Sequence, residues 1–151
     1  MKLSTRSTYG LRALVELGLA ADTGRGAISA ASIADRQDLS VAYLEQLLHR
    51  LKVHGLLASI RGPKGGYLLA KEPRAITVAQ VVQILDGPSI VTHHSTTKSG
   101  HADAQQVTHA VFRCVHERLL RSLDQVTLED LCADVRDHAQ EPIEHRYVFH
   151  I

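Results

Sequence analysis

The chain has 151 residues, 44% hydrophobic and 22% charged, proportions that fit one compact globular domain and exclude a disordered tract. Aromatics make up 4% with no Trp, so the core must be built from Leu, Val, Ile and Ala, and no run approaches the ~18 uninterrupted apolar residues of a membrane span. The net charge of +1 hides an asymmetry: residues 1–75 carry eleven Lys/Arg against six acids, a net +5, and the rest carries −4, the footprint of a polyanion-binding half joined to a different one.

The helical spacing of Leu11, Leu14, Val15, Leu17 and Leu19 predicts a first helix to about residue 21, broken by Asp22-Thr23-Gly24-Arg25-Gly26. Ser29 or Ser32 caps a short helix carrying Ala31, Ile33 and Ala34, and Asp38-Leu39-Ser40 turns the chain. Ser40 caps a second helix over residues 41–54, with Leu44, Leu47, Leu48 and Leu51 inward and Gly55 as its left-handed stop. Two such helices joined by a short turn predict a helix-turn-helix. Residues 56–61 and 66–70 read as strands separated by Gly62-Pro63-Lys64-Gly65, a hairpin and therefore a wing. Thr77-Val78-Ala79-Gln80 is a capping box that opens a helix with Val78, Val81, Val82 and Leu85, stopping at Gly87-Pro88. Residues 89–103 are polar and aperiodic, a loop of a length that is often functional. Over residues 104–123 a long amphipathic helix sets Val107, Val111, Val115 and Leu119 in one row with Ala110 and Cys114 beside it, and Thr127-Leu128-Glu129-Asp130 opens a last helix to about residue 137. The fold class is mainly α with a small β-hairpin wing. The chain divides into residues 1–75, a winged helix-turn-helix, 76–138, a linker helix, a loop and two further helices, and 139–151, a tail.

The helix after Ser40 presents Ser40, Ala42, Tyr43 and Gln46 near its N-terminus, the part of a recognition helix that meets base edges. Gln pairs bidentately with adenine, Ser bonds base or phosphate, and Glu45 accepts from a cytosine amino group. In the wing, Gly62 and Gly65 allow close backbone approach while Arg61 and Lys64 supply phosphate or minor-groove contacts. The plain alternatives are a solvated helix face and an exposed basic turn, and the competing function class is a winged module that binds protein rather than DNA. Steep loss of duplex binding with added salt separates the two classes. Catalysis has no support: there is no nucleophile elbow, no helical His-Glu-x-x-His, and the wing fits neither a phosphate loop nor a dinucleotide fingerprint. Cys114, on the apolar side of its helix, reads as a buried inert thiol, and Cys132 as another. Two cysteines supply neither a disulfide framework nor a four-thiolate metal site, which points to the cytoplasm. Of ten histidines, His93, His94 and His101 fall in the polar loop and His109 and His116 on the helix after it; they are either solvated side chains or ligands for zinc, iron or another divalent ion, in a spacing that matches no standard zinc motif.

With these parts assembled, the sequence resembles the IscR/NsrR/CymR family of bacterial winged-helix transcription regulators, from residue 1 to about 137. The match is carried by Met1-Lys2-Leu3-Ser4-Thr5 with Tyr9, by Tyr43-Leu44-Glu45-Gln46-Leu47-Leu48, by Gly55-Leu56 and Ile76-Thr77-Val78, and above all by Ser59-Ile60-Arg61-Gly62-Pro63-Lys64-Gly65-Gly66-Tyr67-Leu68-Leu69. The resemblance implies a cytoplasmic homodimer, with no membrane partner, that binds double-stranded DNA at an imperfect promoter palindrome and regulates transcription there, read here as a repressor. It points to Glu45 as a discriminator between sites. The row Val107, Val111, Val115 and Leu119 is expected to supply the dimer interface. Cluster-binding members hold a 2Fe–2S cluster on three cysteines of the loop before the long helix, in some with a histidine at that helix's start. Aligned on Thr108-His109-Ala110, the cysteine positions fall at His94, Gly100 and Gln106, and only the His109 position keeps its ligand type. Thiolates are the main ligands of such a cluster, so no resident cofactor is expected, with a metal on His94, His101 and His109 as the alternative.

Overall fold

The structure, a computed structural model, describes residues 4–87 and 102–137, the side chains of 102–106 and 109 excepted. The first helix, α1 (Thr5–Asp22), starts where the Ser4 side chain accepts from the Ser7 N–H. Ser29 rather than Ser32 caps α2 (Ala30–Gln37), which ends on Asp38 in the left-handed conformation, φ 53°. Ser40 caps α3 (Val41–Val53), and Gly55 follows it at φ 75°, the predicted stop. The turn between α2 and α3 makes the helix-turn-helix.

The wing is an antiparallel pair, β1 (Leu57–Ile60) and β2 (Gly66–Leu69), with Leu57 opposite Leu69 and Ile60 opposite Gly66. Ile28, just before α2, pairs with Tyr67 on the other edge of β2 through two backbone bonds of 2.9 and 2.8 Å. The wing is therefore tied to the start of the helix-turn-helix as well as to its end. A single 3-10 turn, Pro73–Ala75, leads to α4 (Val78–Asp86), whose capping box has both reciprocal bonds between Thr77 and Gln80. The long helix is α5 (Ala102–Asp124), and α6 (Leu128–Asp137) opens with the Asp130 carboxylate accepting from the Thr127 N–H at 2.8 Å.

One core runs through these elements. Leu14 and Leu17 of α1, Ile33 of α2, Leu44, Leu48 and Leu51 of α3, Val81 and Leu85 of α4, and Leu128 and Cys132 of α6 belong to the same buried cluster. Fully burying one such leucine contributes about 1.5–3 kcal/mol. Because α1 packs on α4 and α6 as well as on α2 and α3, the units drawn at 1–75 and 76–138 share this core. The second half of α5 packs on α4 through Leu119, Leu120 and Leu123 against Val78, Ala79 and Val82. Before Leu119 the helix leaves that support, which corrects the reading of Cys114: it is exposed, and only Cys132 is buried. The loop histidines His93, His94 and His101 and the tail 139–151 lie outside the described residues.

Candidate nucleic-acid interface

Helix α3 has two faces. Leu44, Leu47, Leu48 and Leu51 are sealed in the core, whereas Ala42, Glu45 and Gln46 are exposed, and His49 continues that face one turn further on. Ser40 is exposed; its Oγ accepts from the Tyr43 N–H at 3.3 Å, which leaves the hydroxyl proton available to a phosphate oxygen. Tyr43 is set apart from the exposed face. It is half-buried with its ring edge-on to Tyr9 of α1, centroids 6.4 Å apart, and the Arg12 guanidinium stands over the Tyr9 ring.

The second half of α3 spends most of its basic side chains on fixing the helix in place. Arg50 Nη1 donates to the Leu85 carbonyl of α4 at 2.9 Å, Lys52 Nζ donates to Ser59 Oγ of β1 at 2.6 Å, and His54 Nδ1 lies 2.8 Å from the Arg50 carbonyl. The Lys52–Ser59 bond joins recognition helix and wing directly. Tyr67 on β2 reports the same proximity: burial and then the Glu45 carboxylate push its phenol above the ordinary range.

At the wing tip Arg61, Gly62, Pro63 and Lys64 are exposed, and neither cation has a partner among the described residues. The Gly65 N–H donates to the Gly62 carbonyl at 2.9 Å, with Gly62 at φ 115°. A Cβ on Gly65 would lie 2.3 Å from the Ile60 carbonyl oxygen, and one on Gly66 would lie 2.2 Å from that of Ile28, so the close backbone approach there admits only glycine. The tip is thus a thin ridge of backbone carrying two exposed cations.

The row foreseen on α5 divides. Val107, Val111 and Val115 are 64%, 56% and 55% exposed with Phe112 beside them, while Leu119 rests on the α4 cluster. Metal chemistry finds little here: among the described residues no three His, Cys, Asp or Glu side chains are arranged to hold an ion. Cys132 is sealed between α1 and α6, its thiol pushed up to about 11 by burial first and then by the Asp22 and Glu129 carboxylates. Among the described residues no helix is long and apolar enough to cross a membrane. His49 joins the exposed α3 face with one signal in the sequence, its spacing from Ala42, Glu45 and Gln46, whereas the Lys52–Ser59 tie and the Ile28–Tyr67 pairing leave none.

The profile of the Rrf2 family, described as an iron-dependent transcriptional regulator, matches residues 3–134. The HTH-type transcriptional regulator IscR of Klebsiella pneumoniae (strain 342) is 36% identical over 131 residues, 87% of this chain and 79% of that protein. IscR of Escherichia coli O1:K1 / APEC is 34% identical over the same length, 80% of its own. Among solved structures, IscR of T. potens is similar with a TM-score of 0.71 and 35% identity, covering 94% of this chain and 93% of that one. CymR, the global cysteine regulator of B. subtilis, is similar at 0.65 and 36%, covering 89% and 98%. The exposed α3 face, the glycine-bound basic wing and these likenesses converge: the chain belongs to the Rrf2 family and is a DNA-binding transcription regulator.

Proposed function

We propose that two copies of this chain bind an imperfect palindrome in promoter DNA, each laying α3 in a major groove and its wing on the adjoining backbone or minor groove, and that they repress the promoter from the cytoplasm. The observation that carries this reading is the exposed Ala42–Glu45–Gln46 face tied through Lys52 and Ser59 to a wing whose Arg61 and Lys64 are exposed and have no partner among the described residues. Glu45 and Gln46 meet base edges, Ala42 contacts a thymine methyl, and Ser40, Arg61 and Lys64 take phosphates. Tyr43, held by Tyr9, lies at the rim, where its hydroxyl reaches the sugar–phosphate chain. Gly62 and Gly65 let the wing backbone approach the duplex. The uncovered valines of α5 pack against α5 of the second protomer. Selection of bound genomic fragments with purified protein tests the whole reading: it should return one palindromic class whose binding falls steeply with salt. Fragments sharing no sequence, bound equally at low and high salt, would overturn it.

The 2Fe–2S cluster of cluster-binding relatives does not fit the residues present. The chain has two cysteines; Cys132 is closed in the core with its thiol protonated at neutral pH, and Cys114 projects from α5. Of the positions that match the family's ligands, Gln106 offers an amide and His94 an imidazole, neither a thiolate, and Gly100 no side chain at all. The regulator therefore works without such a cluster, and purified protein should be colourless and bind its operator as isolated. Stoichiometric iron with acid-labile sulfide would sink that reading. Stoichiometric zinc that is lost on His109→Ala would replace it with a histidine-held metal.

A further inference from the structure

We propose that His49 is a fourth base-reading residue of α3, donating from its imidazole N–H to the N7 of a purine next to the base pairs met by Glu45 and Gln46. The inference rests on α3 lying in the major groove, and it adds a specificity determinant outside the first turns of the helix.

Spacing is the first support. Ala42, Glu45, Gln46 and His49 stand at i, i+3, i+4 and i+7, so they share one helix face. That is also the spacing with which the long recognition helix of a homeodomain reads successive base pairs. At a rise of about 1.5 Å per residue, His49 lies about 4.5 Å along the axis from Gln46 and about 6 Å from Glu45. With base pairs about 3.4 Å apart, the next one or two pairs come within its reach.

Availability is the second. Four basic side chains occupy the last half of α3 and its C-cap: His49, Arg50 and Lys52 in the helix and His54 at the cap. Arg50 is held by the Leu85 carbonyl, Lys52 by Ser59, and His54 by the Arg50 carbonyl. His49 alone of the four is exposed with no bonding partner among the described residues. Its chemistry also complements that of its neighbour. The Glu45 carboxylate is acceptor-only and asks for a base-edge donor, whereas an imidazole N–H asks for an acceptor, and N7 of guanine or adenine is the acceptor every purine presents in the major groove. The pair Glu45 and His49 thus demands opposite groups at neighbouring positions, which sharpens discrimination.

The test uses the full chain on its selected operator. His49→Ala should lower affinity for the best site about tenfold, within the range of one good base contact, and flatten the preference at one position of each half-site. A 7-deazapurine at that position removes N7 without altering base pairing; it should weaken the wild type by a similar factor and leave His49→Ala unaffected. His49→Gln, which keeps a donor, should retain purine preference. Unchanged affinity and preference in His49→Ala would overturn the proposal. So would uniform weakening across all sequences with a salt slope lower by about one unit per half-site, which marks a phosphate contact. Glu45→Ala and Gln46→Ala are profiled in parallel: if both change site preference and His49→Ala does not, only the role of His49 fails, and if neither does, the placement of α3 in the groove fails.

Discussion

Cys132 and Gly18 depend on each other where α6 crosses α1. A methyl group at Gly18 would sit 2.6 Å from Cys132 Sγ, and the thiol fills the space the glycine leaves. Sealed there beside Asp22 and Glu129, the thiol holds its proton to about pH 11, whereas an unfolded cysteine loses it near 8.5. Above that lower value the unfolded chain binds fewer protons than the folded one, so stability falls as pH rises, by about 1.4 kcal/mol per unit until the folded thiol also ionises. Urea unfolding between pH 8 and 10.5 should show this loss, and Cys132→Ala should remove that component of the slope. The same burial makes Cys132 unreactive: native protein should resist alkylation at this residue until it is unfolded. Prompt labelling of Cys132 under native conditions would contradict the buried site.

At the scale of the element, the wing is the part of the proposed interface expected to set affinity. Arg61 and Lys64 have no partner among the described residues, so each is expected to displace a counterion from a phosphate. Arg61→Ala should weaken operator binding and lower the salt slope by about one unit per wing, measured from 50 to 200 mM salt, and an unchanged slope would place the wing off the DNA. The hairpin was legible because Gly62, Pro63 and Gly65 punctuate two apolar runs, and the Thr77–Gln80 capping box and the Thr127–Asp130 helix start because their spacing is local. Ile28 was not: one residue pairing with Tyr67 has no strand pattern, and the contact spans the whole helix-turn-helix. Ser29 and Ser32 were indistinguishable until the turn after α1 fixed where α2 begins. The face of α3 could be read from its leucines, but which basic side chains on it are free depends on Leu85 and Ser59, partners that tertiary packing supplies. Cys114 was misplaced for a related reason. Periodicity identifies the apolar side of α5 but not how far along the helix its own chain covers that side.

For the whole molecule, that uncovered length is what remains to be accounted for. Leu119, Leu120 and Leu123 close against α4, while Val107, Val111, Phe112 and Val115, spread over about three turns before Leu119, are each more than half exposed. An apolar helix face of this extent marks an association site, and a second copy of the same helix presents the matching surface in a twofold arrangement. The proposed dimer is expected to set two α3 helices about 34 Å apart, one turn of DNA, which is the geometry a palindrome requires. Replacing Val111 and Val115 together by Glu should therefore give monomers in sedimentation. The monomer should keep its helical content and thermal transition, because neither valine belongs to the buried core. Operator binding should collapse to that of a single half-site, with a salt slope about half that of the wild type, since each protomer then neutralises only its own phosphates. Wild-type protein that sediments as a monomer at micromolar concentration, yet protects a full palindrome, would rule out this arrangement and assign the exposed valines to a different partner.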